Sequence, residues 1–227
     1  MTIAEAREIV LHQGWLSYAP QPFQQAVLER CLLQDVKAGA SIYAAGDPPG
    51  GMFGLVSGDL SVLAGPGVRL PYIVRPGTWL GVTSALTGQP RRLSLCATRK
   101  SEVLHLPLPS IQEIVAQDPS AWRLFGLVTV GHIELAMGAS DDLMIRDHVK
   151  RFIAILLRLG GCRSTTQPVS VPIEVDVNQQ DLAGMSNVAR TTAGAILRKL
   201  EASGHVDLSY RHIRILAPDA LRSMLGD

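Results

Sequence analysis

Between residues 35 and 90 no β-prone run continues far before a glycine or proline interrupts it, and a longer run at 91–106 ends at Pro107. The runs VKAGASIYAAGD, GMFGLVSGDLSVLAGPG, VRLPYIVRPGTWLG and RRLSLCATRKSEVLHLP follow one another closely. Corners fall at Gly46 with Asp47, Gly58 with Asp59, residues 65–67, Pro76 with Gly77, and residues 88–90. Glycine supplies positive φ at such corners and proline a fixed φ. Short strands with turn signals at this density close into a sandwich or barrel.

Helical patterns flank this region. Residues 2–14 predict an amphipathic helix with Glu5 in its early turns and Gly14 as its stop, and residues 22–33 a second, entered through Pro22. A short helix is expected at 109–116, then a long one from Asp118 and Pro119 to Met137. That long helix has two apolar sides: Leu124, Leu127, Val128, Gly131 and Leu135 on one, Phe125, Thr129, Ile133 and Met137 on the other. A helix apolar on two sides must be covered on two sides, so one can face the β-structure and the other, the stripe of Leu124, Leu127, Val128, Gly131 and Leu135, the same helix of a second subunit. Residues 138–142 (GASDD) break the pattern and read as a hinge, with Asp141 or Asp142 capping a helix at 143–159 that Gly160 and Gly161 close. A loop at 164–168 and β-texture at 169–177 follow.

Residues 178–200 (NQQDLAGMSNVARTTAGAILRKL) predict two short helices about a turn at 185–187, the second beginning near Val188. Ala193, Ile196, Leu197 and Leu200 share the buried face of that second helix. Arg190, Thr191, Ala195, Arg198 and Lys199 lie off it, and the three charges among them are all positive. This is the layout of a helix-turn-helix entering a major groove, or of a plain helical hairpin within a larger fold. Residues 206–216 read as a two-strand wing and 218–225 as a short tail.

A chain of 227 residues holds two modest domains, and 47% hydrophobic against 18% charged residues is a globular composition. No 18-residue apolar run and no signal peptide are present, so a cytoplasmic protein with no membrane partner is expected. Net charge is only +1, so any nucleic-acid binding must come from a local patch. Cys31, Cys96 and Cys162 form no CxxC and read as buried or half-buried thiols, and no HExxH, P-loop, nucleophile elbow or paired-carboxylate cleft appears. The expectation is therefore no metal and no enzyme.

YAAGD at 43–47, MFGLVSGDL at 52–60 and PGTWLG at 76–81, followed in the same order by the helix-turn-helix, resemble the Crp/Fnr family of bacterial transcription regulators. The resemblance spans nearly the whole chain. It implies an α+β protein: a β-roll (jelly roll) of the cyclic-nucleotide-binding type at 1–118, a dimerisation helix and hinge at 119–140, and a winged helix-turn-helix at 141–227. In cyclic-nucleotide binders of this fold a Glu takes the ribose hydroxyl and an Arg the phosphate. Here the cassette is Gly81, Val82, Thr83, Ser84, with Val82 in the place of the Glu; Arg91 matches the Arg and Arg92 replaces the hydroxyl residue after it. A valine accepts no hydroxyl proton, so cyclic AMP is not the expected effector. Two readings stay open: a small anionic effector held by Arg91 or Arg92 near Thr83 or Ser84, or a roll with no ligand.

The resemblance further implies a homodimer on a near-palindromic double-stranded DNA site, with RNA polymerase as a partner. Arg190 matches the guanine-reading Arg, while Thr191 and Ala195 replace other base-reading residues, so the half-site differs from that of the cyclic-AMP receptor. Asn178, Gln179, Gln180 and Thr192 are candidate phosphate contacts, joined by Arg198, Lys199 and, in the wing, Arg211, His212 and Arg214. From Asp142 onward eleven Lys and Arg stand against nine Asp and Glu, a local excess of about +2. Two other classes of function remain to be tested against this one, a winged helix that binds a protein and an enzyme sited in the β-roll.

Overall fold

The computed structural model describes residues 1–65, 68–70, 74–164, 172–209 and 212–226, with Val68 and Arg69 described by backbone alone. Contacts divide the chain into two compact units, the second made of residues 135–226 together with Arg69 and Leu70, the first of the other described residues.

In the first unit, α1 (Ile3–His12) starts in a capping box: the Glu5 amide donates to Thr2 Oγ1 and the Thr2 amide to the Glu5 carboxylate. A 3₁₀ turn (Trp15–Tyr18) leads to α2 (Gln21–Glu29). The strands are β1 (Leu32–Val36), β2 (Ser41–Tyr43), β3 (Met52–Ser57), β4 (Leu60–Gly65), β5 (Val68–Arg69) and β6 (Trp79–Leu80). After α3 (Val82–Thr87) come β7 (Ser94–Ala97) and β8 (Ser101–Leu106), then α4 (Leu108–Gln117) and α5 (Ala121–Met144), which runs on into the second unit from Leu135. Two four-stranded sheets result, β1-β8-β3-β6 and β2-β7-β4-β5. The corner at Gly58 requires glycine twice over: its φ is 94°, and a Cβ there would sit 2.5 Å from Ser101 Cα. Trp15, Phe23 and Phe125 meet at 5.1–6.0 Å between ring centroids, so the N-terminal helices, β6 through Trp79, and α5 share one core.

Two expectations change here. Leu32 and Leu33 belong to β1, paired with His105 and Leu104, and not to the helix expected at 22–33. A ladder partner some seventy residues away decided the matter, which no local window contains. Second, α5 passes straight through residues 138–142 and ends at Met144. Gly138 costs helix propensity, about 1 kcal/mol, but a Cβ there would stand 2.7 Å from Arg158 Nη1. Asp142 caps nothing; the cap is Asp147, whose Oδ1 accepts from Val149 and Lys150 at 2.8 and 3.0 Å. Those bonds hold the Asp147 carboxyl below its ordinary range.

The second unit contains α6 (His148–Leu159), β9 (Ile173–Val175), α7 (Gln179–Met185), α8 (Arg190–Ala202), β10 (Val206–Ser209), β11 (His212–Ile215) and α9 (Pro218–Ser223). Helix α6 is buried continuously from Phe152 to Leu157, and the sheet order is β10-β11-β9. The expected loop at 164–168 and the start of the β-texture at 169–177 fall on residues 165–171, outside the described residues, as do corner residues 66–67. Cys31 and Cys162 are buried and Cys96 half-buried, none of the three in a disulfide among the described residues.

Candidate nucleic-acid interface and sensory pocket

The helix-turn-helix is assembled by side chains of modest individual strength. Asn178 caps α7, its Oδ1 accepting from the Asp181 amide and its Nδ2 donating to Asp181 Oδ2, each at 2.8 Å. Leu182, Ala183 and Met185 point inward, and Asn187 turns the chain at φ 52°, a conformation asparagine tolerates. Helix α8 then begins at Arg190, two residues later than the expected Val188. It buries Ala193, Gly194, Ile196, Leu197 and Leu200. Arg190, Thr191, Ala195, Arg198 and Lys199 are exposed together on the other side, with Thr192 half-buried. No ion pair is recorded for Arg190, Arg198 or Lys199 among the described residues.

Arg190 sits in the first turn of α8, where no acidic residue accompanies it. A cation at a helix N-terminus opposes the macrodipole and is locally unfavourable.

The expected phosphate contacts fare unevenly. Asn178 is occupied as a cap, and Gln179 donates from Nε2 to the Arg190 carbonyl at 2.9 Å, bracing the start of α8. Gln180 is exposed. With Val177, Leu197, Leu208, Ser209, His212 and Ile213, these residues and Arg190 line a groove of about 520 Å³. The wing is less basic than the sequence implied: Arg214 pairs with Asp207 at 3.0 Å and His212 with Asp176, while Arg211 lies outside the described residues. Sequence reasoning missed Arg151 of α6. Its Nε donates to the Ser186 carbonyl at 2.8 Å and its Nη2 to the Asn187 carbonyl at 3.2 Å, holding the turn. A basic pair, Lys150 and Arg151, directly before an apolar run was the only signal that could have found it.

In the first unit, a cavity of about 300 Å³ is lined by Tyr43, Gly81, Thr83, Ser84, Arg91 and Arg92 among others, and by His132 of α5. Val82 lies beside it but turns into the core, 1% exposed. Arg91 is 7% exposed and already engaged. Its Nη1 donates to the Gly81 carbonyl at 2.8 Å, its Nη2 to the Gly51 carbonyl at 2.7 Å, and its Cζ lies 4.3 Å from the Tyr43 ring centroid. Glycines make this seat: a Cβ at Gly50 or Gly81 would come within 2.6 Å of the guanidinium. Burial lowers the Arg91 pKa, and Tyr43 and Asp47 oppose the shift. Burial pushes the Tyr43 phenol up to about 12, so it stays neutral. His132 is lowered by burial, against a hydrogen bond with the Trp79 backbone. Ser84 is buried with its hydroxyl 3.4 Å from the Gly50 and Gly81 carbonyls, whereas Thr83 and Arg92 are exposed.

The expected dimer stripe divides. Val128 enters the core of its own unit with Ala121 and Phe125, and Leu124 packs against that core. Leu127 and Leu135 are exposed, Gly131 half-buried, and Val130, Ile133 and Met137 are also exposed.

Residues 33–118 match the model of the cyclic nucleotide-binding domain, and residues 150–224 that of the Crp-like helix-turn-helix domain. No curated protein matches the sequence. Among solved structures, FixK2 of Bradyrhizobium japonicum is similar with a TM-score of 0.70 at 18% identity, over 85% of this chain and 96% of that one. The c-di-GMP-responsive global regulator CLP of Xanthomonas campestris gives 0.67 at 18% identity, over 87% and 99%. A CRP-family transcriptional regulator of Thermus thermophilus gives 0.67 at 20% identity, over 86% and 97%. At these identities the structures speak for the fold. No helix among the described residues is long and apolar enough to cross a membrane.

Proposed function

The chain belongs to the Crp/Fnr family of transcription regulators, and we propose that it acts as a cytoplasmic homodimer reading a near-palindromic double-stranded DNA site through α8. The observation that carries this reading is the exposed face of α8, where Arg190, Arg198 and Lys199 surround Thr191 and Ala195 with no recorded acidic partner. Two such helices related by a two-fold axis meet successive major grooves about 34 Å apart. The family is one of regulators and not of enzymes, and RNA polymerase is the partner through which a bound dimer acts.

Arg190 reads a base, with guanine the natural partner of a bidentate guanidinium. Arg190→Ala weakens specific-site binding by about 1–3 kcal/mol and relaxes discrimination at one base pair in each half-site. Selection from random duplexes followed by gel shift measures both; unchanged affinity and an unchanged selected sequence would refute the assignment.

The β-roll does not take cyclic AMP in this reading. Val82 offers no acceptor to a ribose hydroxyl, and Arg91 is held in place by two carbonyls that take one donor from each of its terminal nitrogens. Arg92 and Thr83, both exposed at the cavity, suit a compact anion. Calorimetric titration with cyclic AMP gives no heat; micromolar binding would overturn this part of the reading.

A further inference from the structure

Helix α6 carries two arginines seven residues apart, two turns along one side of the helix. Each holds a different part of the second unit. At the C-terminal end, Arg158 Nε donates to Asp142 Oδ2 at 2.6 Å and its Nη2 to the Gly138 carbonyl at 2.6 Å. Arg163 Nε takes the other Asp142 oxygen, Oδ1, at 3.0 Å. The Asp142 side chain is only 3% exposed. At the N-terminal end, Arg151 holds the Ser186 and Asn187 carbonyls and also donates from Nη1 to the Ile145 carbonyl at 2.7 Å. The last turns of α5, the chain leaving it, and the helix-turn-helix turn are thus bonded to one buried rod.

A buried ion pair adds little net stability, because desolvation offsets the attraction. What it specifies is geometry, and geometry is what this arrangement controls. Asn187 stands three residues before Arg190, so a small displacement of the turn carries directly into the side chain that meets DNA. Gly138 fits the same purpose: any side chain there would displace Arg158.

We propose that α6 is a strut that sets the aim of α8 from the register of the last turns of α5, with Asp142 and Arg151 as positioning residues for DNA reading. The proposal rests on the reading of α8 as the DNA-contacting helix. Asp142 and Arg151 make no recorded bond to each other; they are connected through α6 itself.

The test is a double-mutant cycle in the full-length protein with Asp142→Asn and Arg151→Lys, the latter unable to fork across two carbonyls. The probe is the duplex that the wild-type protein selects from a random pool. Each single variant weakens binding roughly tenfold, and the double variant shows about the same roughly tenfold loss, because either change already frees the strut. Independent effects would multiply to roughly a hundredfold, and that result, or full affinity in the single variants, overturns the proposal. Urea midpoints for the same proteins separate aim from folding, since a merely structural role moves the midpoint and leaves the affinity of the folded fraction unchanged. Amide exchange at Ser186 and Asn187 accelerates in Asp142→Asn, and unchanged exchange also overturns the strut. This readout needs no DNA: a wild-type protein that selects no duplex refutes the reading of α8, while the exchange rates still judge the strut.

Discussion

Leu127→Glu should sediment as a monomer where the wild-type protein sediments as a dimer, and should lose at least roughly a hundredfold in affinity for a two-half-site duplex. One side of α5, Ala121, Phe125 and Val128, is consumed by the core of the first unit. Roughly opposite, Leu127, Val130, Ile133 and Met137 are 48–62% exposed, more apolar surface than a helix presents to water without a partner. Gly126 and Gly131 point to close approach. A Cβ at either would meet nothing within 4 Å of the same chain, yet each costs the helix about 1 kcal/mol relative to alanine. Backbone approach by a second helix is a reason for glycine there. In an isologous interface the substitution enters twice, so two carboxylates are stranded in one apolar seam. The circular-dichroism melt should stay close to wild type, because Leu127 lies outside the core. A Leu127→Glu protein that sediments as a dimer would remove this face of α5 from the interface.

Arg91→Ala should lower the stability of the first unit by about 2–5 kcal/mol in the absence of any ligand. The guanidinium satisfies the Gly81 and Gly51 carbonyls, which its removal leaves beside a void ringed by Tyr43 and Phe53. Arg91→Lys should recover only part of the loss, since an ammonium is a point donor and cannot span both carbonyls in one plane. Urea unfolding followed by tryptophan fluorescence reads the effect, with Trp79 and Trp15 packed together in that core. An arginine kept only for a ligand behaves oppositely: deleting it relieves a desolvated cation and leaves the empty protein unchanged or more stable. That outcome would return Arg91 to the effector site.

These two predictions mark where sequence reading stops. Arg91 was identifiable as the residue in the phosphate-binding position, and Val82 as a departure from the ribose contact. Neither fact shows that the guanidinium is already bonded to Gly81 and Gly51, residues 10 and 40 positions away. Likewise Arg214 and His212 read in sequence as part of a basic wing, and only the fold sets Asp207 and Asp176 against them.

What the sequence determined by itself is local and periodic. Glycine and proline spacing set the corners of the roll, because only those residues meet the φ demands of tight turns at little cost. The 3.6-residue repeat in 188–200 set which side of α8 is buried, leaving Arg190, Thr191 and Ala195 outward. What the tertiary structure decided is everything that depends on a distant partner. Leu32 and Leu33 became strand because His105 and Leu104 stood ready to pair. Helix α5 runs through Gly138, where a distant side chain, Arg158, occupies the space a Cβ would need and bonds the Gly138 carbonyl. On α5 the sequence showed two apolar stripes and assigned the one from Leu124 to Leu135 to the dimer. Packing against the roll cut across both, taking Val128 from one and Phe125 from the other inward and leaving Leu127, Ile133 and Met137, with Val130, outside, since burial depends on which surface arrives and periodicity records only that one must.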